Sequence, residues 1–248
     1  MRWLKLTVAY DGTAYAGWQV QPDQPTVQNA LQAAWLEITG EVVRLTAAGR
    51  TDAGVHALGQ VAAIATECGI ANDELCRGLN AKLPRDVAVL AIHNAPEGFH
   101  ATYDAVSKLY RYQIHNGRIR SVFDRHYSWH YPQPLDAKWM HAAGQMLVGR
   151  HDFASFETAG SERSDTVRTI SHLSVERGTG LLLERITLDV EGDGFLYNMV
   201  RAIVGTLVRV GCGARQTEWV ADVLASRDRA RAGQTAPAEG LFLVRVDY

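Results

Sequence analysis

Hydrophobic and polar residues alternate at the start of the chain, and the period then becomes helical. Residues 3–10 predict a strand whose apolar face carries Leu4, Leu6, Val8 and Tyr10. Thr26 is typical of a helix N-cap, apolar residues then recur at helical spacing, and Gly40 is typical of a helix end. The first forty residues therefore predict a strand followed by an amphipathic helix.

Residues 42–92 predict the remaining strands and helix of the first half. Two apolar runs, 42–48 and 59–65, predict strands on either side of a glycine-bounded loop. A short helix with Asn72 as its cap buries Leu75 and Leu79, and residues 87–92 predict another strand. The order β-α-β-β-α-β is that of the split β-α-β, or ferredoxin-like, pattern.

The second half of the chain repeats this order. A strand is predicted over 107–115, a helix capped by Asp136 ends at Gly149, and a hairpin joins 167–176 to 181–190. A strongly periodic helix follows from Phe195, a further short helix starts near Thr217, and the chain ends in a strand over 241–246. The second half therefore has the same β-α-β-β-α-β order as the first half, with one additional helix.

These elements predict an α+β protein made of two ferredoxin-like halves. We assign residues 1–105 to an N-terminal half that carries the glycine-bounded loop, and residues 106–248 to a C-terminal half. No Pro/Ser-rich linker separates them, so we expect the two sheets to join side by side. A cleft between the halves is then the natural ligand site.

Composition narrows the class of protein only slightly. Of 248 residues, 47% are hydrophobic and 21% are charged, with a net charge of −2, as in ordinary globular proteins. Three cysteines lack metal-ligand spacing, which favours a reduced, cytoplasmic chain. The most apolar stretch, 195–210, contains arginines and is too short to span a membrane. An RNA partner would require basic residues concentrated on one face.

The loop between the two central strands of the first half is the strongest candidate for chemistry. Gly49-Arg50-Thr51-Asp52-Ala53-Gly54-Val55-His56 places Arg50 and Asp52 between two predicted strands. Catalytic groups tend to lie on loops held by a rigid sheet. The alternative is an ordinary turn, because glycine and aspartate are common in turns for backbone reasons alone.

Several familiar sites are excluded by the sequence. The glycine spacing of 49–54 is that of a phosphate loop, but Val55 and His56 replace the Lys-Ser/Thr pair. The acidic segment 189–194 resembles the start of a calcium loop, but Val200 occupies the position of its bidentate glutamate. The nine histidines are scattered, so we expect no metal site.

An arginine and a tyrosine of the second half are further candidates. Arg201 lies in the most apolar helix, where it either extends to water from the helix edge or is partly buried against a carboxylate. Asp52 would suit that pairing, which would keep its carboxylate ionised as a nucleophile requires. Tyr110 is either a structural tyrosine of a strand or a ring that stacks on a flipped base.

Exposed aromatic and basic residues leave two interpretations open. Tyr15 and Trp18 lie on a glycine-rich loop, where they either stack on bases or pack beneath the loop. Basic residues form two groups, which are either solvated surface or a split surface for phosphates: Arg111, Arg118, Arg120 and Arg125, and then Arg227, Arg229 and Arg231.

The ordered motifs of the chain resemble those of the tRNA pseudouridine synthase A family. The loop 49–57 resembles the family's catalytic motif, and the segments 10–12 and 15–19 resemble its N-terminal signature. The segments 26–28, 110–112, 151–156, 195–201 and 238–241 also match, so the resemblance covers nearly the whole chain.

This resemblance implies a cofactor-free, metal-free isomerase that converts uridine to pseudouridine in the anticodon stem-loop of tRNA, at positions 38 to 40. It implies Asp52 as the nucleophile, Arg201 as the residue that pairs with and positions it, and Tyr110 as the residue that stacks on the target base and is a candidate to take the C5 proton. Arg50 would support the loop or contact a backbone phosphate, and Leu241 would lie beside the pocket. The family also implies a homodimer whose basic clefts hold tRNA.

Two questions remain open at this point. A non-catalytic RNA-binding protein of the same fold is the alternative function, although it would not require the complete Arg-Thr-Asp loop together with Arg201. The sequence also does not distinguish attack by Asp52 on C1′ of the ribose from attack on C6 of the uracil.

Overall fold

A computed structural model of the protein describes residues 1–158 and 165–248. The chain is an α+β protein, as predicted, and forms two compact units. The first unit contains residues 1–106 and 242–248, and the second contains residues 107–241. Within the described residues, none of the helices is long and apolar enough to cross a membrane.

The first unit has the predicted split β-α-β arrangement. Antiparallel β1 lies between β4 and β3, and β2 pairs with the other edge of β3. The final strand, β10, joins that same edge in parallel at His56 and Ala57. The elements are β1 (Arg2–Tyr10), α1 (Val27–Thr39), β2 (Thr46–Ala47), β3 (His56–Thr66), α2 (Asn72–Lys82), β4 (Val87–Ala95) and β10 (Leu241–Asp247).

The second unit has the same arrangement in its sheet. Antiparallel β9 lies between β5 and β8, while β7 extends the sheet beyond β8 and β6 pairs in parallel with β5. The elements are β5 (Ser107–His115), β6 (Trp129–His130), α3 (Ala137–Gly144), β7 (Gly149–Asp152), β8 (Val167–Arg177), β9 (Arg185–Gly192), α4 (Met199–Gly211) and α5 (Trp219–Ser226).

Most predicted bounds and buried faces are confirmed. The Thr26 side chain accepts a hydrogen bond from Asn29 N, and Gly40 ends α1 in the left-handed conformation. The predicted apolar face of β1 is fully buried. The same is true of the apolar face predicted for the helix from Phe195, which carries Leu196 ahead of α4 and Met199, Val200, Ile203, Val204 and Leu207 within it.

The predicted strand over 42–48 is much shorter than expected. Only Thr46–Ala47 forms β2, and Val42 is almost fully exposed. Side chains of α1 bind the preceding carbonyl groups instead, since Gln32 Nε2 donates to Val43 O at 2.7 Å and Gln28 Nε2 donates to Leu45 O at 3.2 Å. These side-chain bonds satisfy backbone groups that a longer strand would have paired.

Two other elements start later than predicted, and each has a local cause. Asn198 adopts a left-handed conformation, with φ 61°, so α4 begins at Met199 rather than at Phe195. A 3-10 turn at Gly180–Leu182 delays β9 to Arg185. Asn72 is the first residue of α2 rather than its cap, and its side chain instead accepts from Arg2 Nη1.

Candidate active site

Asp52 lies on the loop that joins β2 to β3 in the first unit. Its side chain is half-buried, Arg50 is exposed, and the intervening Thr51 is buried. Gly54 has φ +78°, a conformation that glycine adopts without steric cost, and Val55 N donates to Asp52 O at 3.1 Å. The tight turn therefore presents a partly accessible carboxylate directly before a buried strand.

The inner side of this loop is fixed by buried polar side chains. The hydroxyl groups of Tyr10 and Thr51 are hydrogen-bonded at 2.7 Å, and Gln60 Nε2 donates to Gly49 O at the same distance. Burial raises the pKa of Tyr10 to about 12, so its phenol stays neutral at neutral pH. The backbone on both sides of Arg50 is thus held from within the sheet.

The N-terminal glycine-rich segment, residues 11–19, covers the other side of the loop. Trp18 N donates to Thr51 O at 3.0 Å, and Gly54 N donates to Tyr15 O at 3.4 Å. A Cβ on Gly17, which has φ +101°, would lie 2.6 Å from Thr51 O. A Cβ on Gly12 would lie 2.0 Å from Val55 O. Only glycine at these two positions allows such a close approach of the two backbones.

Tyr15 and Trp18 pack beneath this segment, which decides between their two interpretations. Both side chains are buried, and the ring of Trp18 lies 6.0 Å from that of Tyr10. The hydroxyl of Tyr15 donates to Asp86 at 2.6 Å. Both rings therefore pack within the protein and do not form an exposed surface on this segment.

His56 is a buried residue that links two segments near Asp52, and the sequence reasoning did not single it out. It is 1% exposed, its Nδ1 accepts from Gly12 N at 3.0 Å, and its ring stacks on Phe242 at 4.7 Å. The carboxylate of Asp11 lies 3.2 Å from the same nitrogen. His56 thus joins the glycine-rich segment to the start of β3, four residues after Asp52. Its place at the end of the loop motif was the available signal.

Tyr110 lies on β5 in the second unit. It is buried, and its ring meets the edge of Phe195 with the ring centroids 5.1 Å apart. Tyr112, two residues further along the strand, is fully buried and donates from its hydroxyl to Pro237 O at 2.8 Å. Burial raises the pKa of Tyr112 well above its usual value, so it remains a hydrogen-bond donor.

Arg201 is held in the first turn of α4 by two neighbouring segments. Its Nε donates to Ala236 O at 2.7 Å, and its Nη1 donates to Asn198 Oδ1 at 2.8 Å. Ala236 N donates back to Arg201 O at 3.1 Å, and Asn198 Nδ2 donates to Thr158 Oγ1 at 3.0 Å. The half-buried guanidinium is therefore oriented by a fork of directional bonds.

The segment before β10 lies unusually close to α4. A Cβ on Gly205 would lie 1.7 Å from Gln234 O, and Thr206 Oγ1 accepts from Gly233 N at 2.9 Å. A Cβ on Gly240 would lie 2.5 Å from the ring of Tyr112. Leu241 follows directly and is buried. The contacts that orient Arg201 and those that place Leu241 thus belong to one rigid segment.

The structure therefore places the predicted residues in two sets. Asp52 and Arg50 lie in the first unit, and Tyr110, Arg201 and Leu241 lie in the second. The pairing of Arg201 with Asp52 stays a prediction. No group of three or more potential metal ligands occurs among residues 1–158 and 165–248.

Comparison with known proteins identifies the class to which this fold and loop belong. A family model described as tRNA pseudouridine synthase matches residues 6–104 and 143–248. The chain therefore belongs to the tRNA pseudouridine synthase family.

Curated relatives carry a more particular name. Proteins named tRNA pseudouridine synthase A are 45% identical in Acetivibrio thermocellus, over 100% of both chains, and 49% identical in Moorella thermoacetica, over 99% of both. A solved H/ACA RNP bound to a substrate RNA containing 2′-deoxyuridine aligns at 12% identity with a TM-score of 0.33. The alignment covers 83% of this chain and 53% of that one.

Gly17→Ala should destabilise the Asp52 loop much more than Gly40→Ala. Both glycines have positive φ, but a Cβ at Gly40 has nothing within 4 Å, whereas one at Gly17 meets Thr51 O. We expect Gly40→Ala to cost about 1 kcal/mol of unfolding free energy and Gly17→Ala about 3 kcal/mol or more. Urea unfolding and amide exchange across 49–55 measure both effects, and equal costs would contradict the close approach.

Proposed function

We propose that the protein isomerises uridine to pseudouridine in tRNA, within the anticodon stem-loop at positions 38 to 40. The observation that carries this proposal is the full-length similarity to proteins named tRNA pseudouridine synthase A. The rigid setting of the Arg50-Thr51-Asp52 loop supports it, because a nucleophile requires a fixed position relative to its substrate. We further propose a homodimer that acts in the cytoplasm and needs no cofactor or metal.

In this proposal, Asp52 supplies the nucleophile. Its carboxylate adds to the substrate, the bond between C1′ and N1 breaks, and the uracil keeps the electron pair. After the base rotates, C5 bonds to C1′ and the carboxylate is released, while the proton lost from C5 is balanced by one gained at N1. One C–N bond is thus exchanged for one C–C bond without any redox change. The target nucleotide must first leave the stack, which costs a few kcal/mol.

The other predicted residues take supporting roles in this scheme. Arg201 pairs with Asp52 and positions its carboxylate, and its bonds to Ala236 and Asn198 orient the guanidinium for that task. Tyr110 stacks on the target base and takes the C5 proton, Leu241 lies beside the base, and exposed Arg50 contacts a backbone phosphate. Stacking on an aromatic ring is a common way to hold a flipped base.

Asp52→Asn should abolish turnover and leave tRNA binding close to that of the wild type. The amide is a poor nucleophile, so we expect the rate to fall by about 10³-fold or more. Pseudouridine is mapped on an unmodified tRNA transcript by carbodiimide treatment and primer extension, and affinity is measured by filter binding. Asp23→Asn, at an exposed turn, is the matched control. Full activity of Asp52→Asn would reject this nucleophile.

The same assay separates an enzyme from a protein that only binds RNA. The wild-type protein should produce new stops in the anticodon arm of the transcript. Tight binding without any new stop would favour the non-catalytic function.

A covalent adduct with 5-fluorouridine tRNA, followed by identification of the linked carbon, distinguishes attack on C1′ from attack on C6.

Arg201→Lys should reduce turnover although it keeps the positive charge. A lysine cannot reproduce the planar fork that reaches both Ala236 O and Asn198 Oδ1, and a misplaced partner costs about 100-fold in rate. Asn198→Gly removes one acceptor, keeps the left-handed backbone accessible, and should cost about tenfold. Arg209→Lys, at an exposed position of the same helix, is the control. An unaffected rate in Arg201→Lys would show that charge alone suffices.

Tyr110→Phe tests whether the phenol takes part in proton transfer. The ring and its contact with Phe195 should remain, so tRNA binding should be unchanged while turnover falls by about 10²-fold or more. The change in rate is measured in single-turnover reactions with saturating protein. Tyr103→Phe, at an exposed position, is the control. Wild-type turnover of Tyr110→Phe would confine Tyr110 to stacking.

A further inference from the structure

A small polar pocket of the second unit is lined by residues that none of the proposed catalytic steps uses. It has a volume of about 210 Å³ and lies against the β5–β6 loop, residues 116–128. Its charged lining consists of Arg120, Arg125 and Glu239, and its hydroxyl groups come from Ser121 and Ser128. A water molecule occupies roughly 30 Å³, so the pocket has room for a phosphate with part of a ribose.

The two histidines of the pocket form hydrogen bonds with backbone carbonyl groups of the β5–β6 loop. His115 Nε2 is hydrogen-bonded to Ile119 O at 2.8 Å, and His130 Nε2 is hydrogen-bonded to Gly117 O at 3.0 Å. Because a carbonyl oxygen only accepts, each of these ring nitrogens is the donor. The two rings therefore hold the first turn of the β5–β6 loop in place and set the position of Arg120.

The arginines of the pocket form few hydrogen bonds or ion pairs with other described residues of the protein. Among the residues that the structure describes, the guanidinium of Arg120 has neither a hydrogen bond nor an ion pair, and Arg125 donates from Nη1 to Val122 O at 2.6 Å. The nearby carboxylate of Asp124 instead lies 3.2 Å from Arg185. Two guanidinium groups thus line a pocket whose own carboxylate is that of Glu239.

The charge of this lining fits a phosphodiester. Arg120 and Arg125 contribute two positive charges to the lining, Glu239 contributes one negative charge, and the carboxylate of Glu184 lies 3.7 Å from His115 Nε2 at its edge. A phosphodiester carries one negative charge, and guanidinium groups bind phosphate oxygens through paired hydrogen bonds.

The outer surface of the loop favours a nucleic acid over a free anion. Phe123 is 88% exposed and Ile119 is 82% exposed, next to the arginines of the pocket. Exposed aromatic groups beside cationic ones are typical of surfaces that stack on bases while holding the backbone. A free phosphate would make no use of these apolar side chains.

We propose that the β5–β6 loop is an RNA-binding element in which Arg120 and Arg125 hold a single backbone phosphodiester in this pocket, while Phe123 contacts an adjacent base. This proposal rests on the proposed function for its substrate, tRNA. It adds a contact that determines affinity and lies outside the set formed by Asp52, Tyr110 and Arg201.

Salt-dependent binding tests whether both arginines hold one phosphate. The full-length variants Arg120→Ala, Arg125→Ala and the double variant are compared in equilibrium binding of an unmodified tRNA transcript over a range of KCl concentrations. Each single variant should weaken binding about fivefold to tenfold. The slope of log K against log [KCl] is negative, and its magnitude should decrease by about 0.7 to 0.9 in the double variant. A loss of twice that size would mean two separate phosphates, and an unchanged slope and affinity would overturn the site.

Two control variants show whether the loss of binding is specific to this pocket. Arg77→Ala, an equally exposed arginine on α2, should leave affinity and slope unchanged, and an equal loss there would overturn a specific site. Phe123→Ala should weaken binding without changing the slope, because it removes no charge. If Phe123→Ala instead changes the sedimentation of the free protein and not its RNA affinity, the loop is a protein interface and the proposal fails.

Two further measurements separate the proposals from each other. Inorganic phosphate is titrated alone into the wild-type protein by calorimetry; saturable binding that Arg120→Ala removes, with tRNA affinity unchanged, would assign the pocket to a free anion and overturn the RNA contact. Pseudouridine formation by the wild-type protein is mapped on the same transcript. If pseudouridine forms but the arginine variants bind normally, only the pocket proposal fails; if none forms, the proposed function fails, and the pocket is judged by RNA binding alone.

Discussion

The close approach of two backbones around Asp52 is the constraint on which the first unit depends. Trp18 N and Gly54 N form hydrogen bonds between the glycine-rich segment and the loop, and the absence of side chains at Gly12 and Gly17 makes that distance possible. Backbone bonds of this kind fix a loop more firmly than side-chain contacts, because few torsions remain free on either side. The half-buried carboxylate is therefore held in place before any substrate binds.

In the second unit, side-chain hydrogen bonds hold a polar group in place. Arg201 and Tyr112 bind the adjacent carbonyl groups of Ala236 and Pro237, and Gly205 lets that segment lie directly against α4. The bonds to Ala236 and Asn198 orient the guanidinium within its own unit. In the proposed function this orientation matters, because preorganised charge is the main electrostatic contribution to catalysis. Each unit thus prepares one polar group independently, and the proposed pairing of Asp52 with Arg201 would combine two groups that are already oriented.

Residue patterns predicted the elements of the fold well, because their causes are local. Thr26 and Gly40 bound α1 through bonds within a few residues, and the buried faces of β1 and α4 follow directly from their periods. The shortness of β2 was not predictable in this way, since it depends on Gln28 and Gln32 reaching carbonyl groups of another segment. Asp52, Arg201 and Tyr110 were candidates from their places on a loop, an apolar helix and a strand, and the roles that the resemblance implied for them stay predictions. The contacts of His56, by contrast, required knowledge of which backbone lies above it.

The distribution of ion pairs limits which arginines of this chain, whose net charge is −2, are available to a polyanion. Several arginines of the basic groups seen in the sequence are neutralised locally: Arg111 by Asp189 and Arg227 by Asp152. Arg229 is committed to Gly233 O and Thr235 Oγ1, and its burial lowers its pKa. Counting basic residues therefore overstates the surface available to phosphate. In the further proposal, Arg120 and Arg125 line one pocket, and positive charge placed at one pocket favours contact at a defined position on the RNA over general attraction along its length.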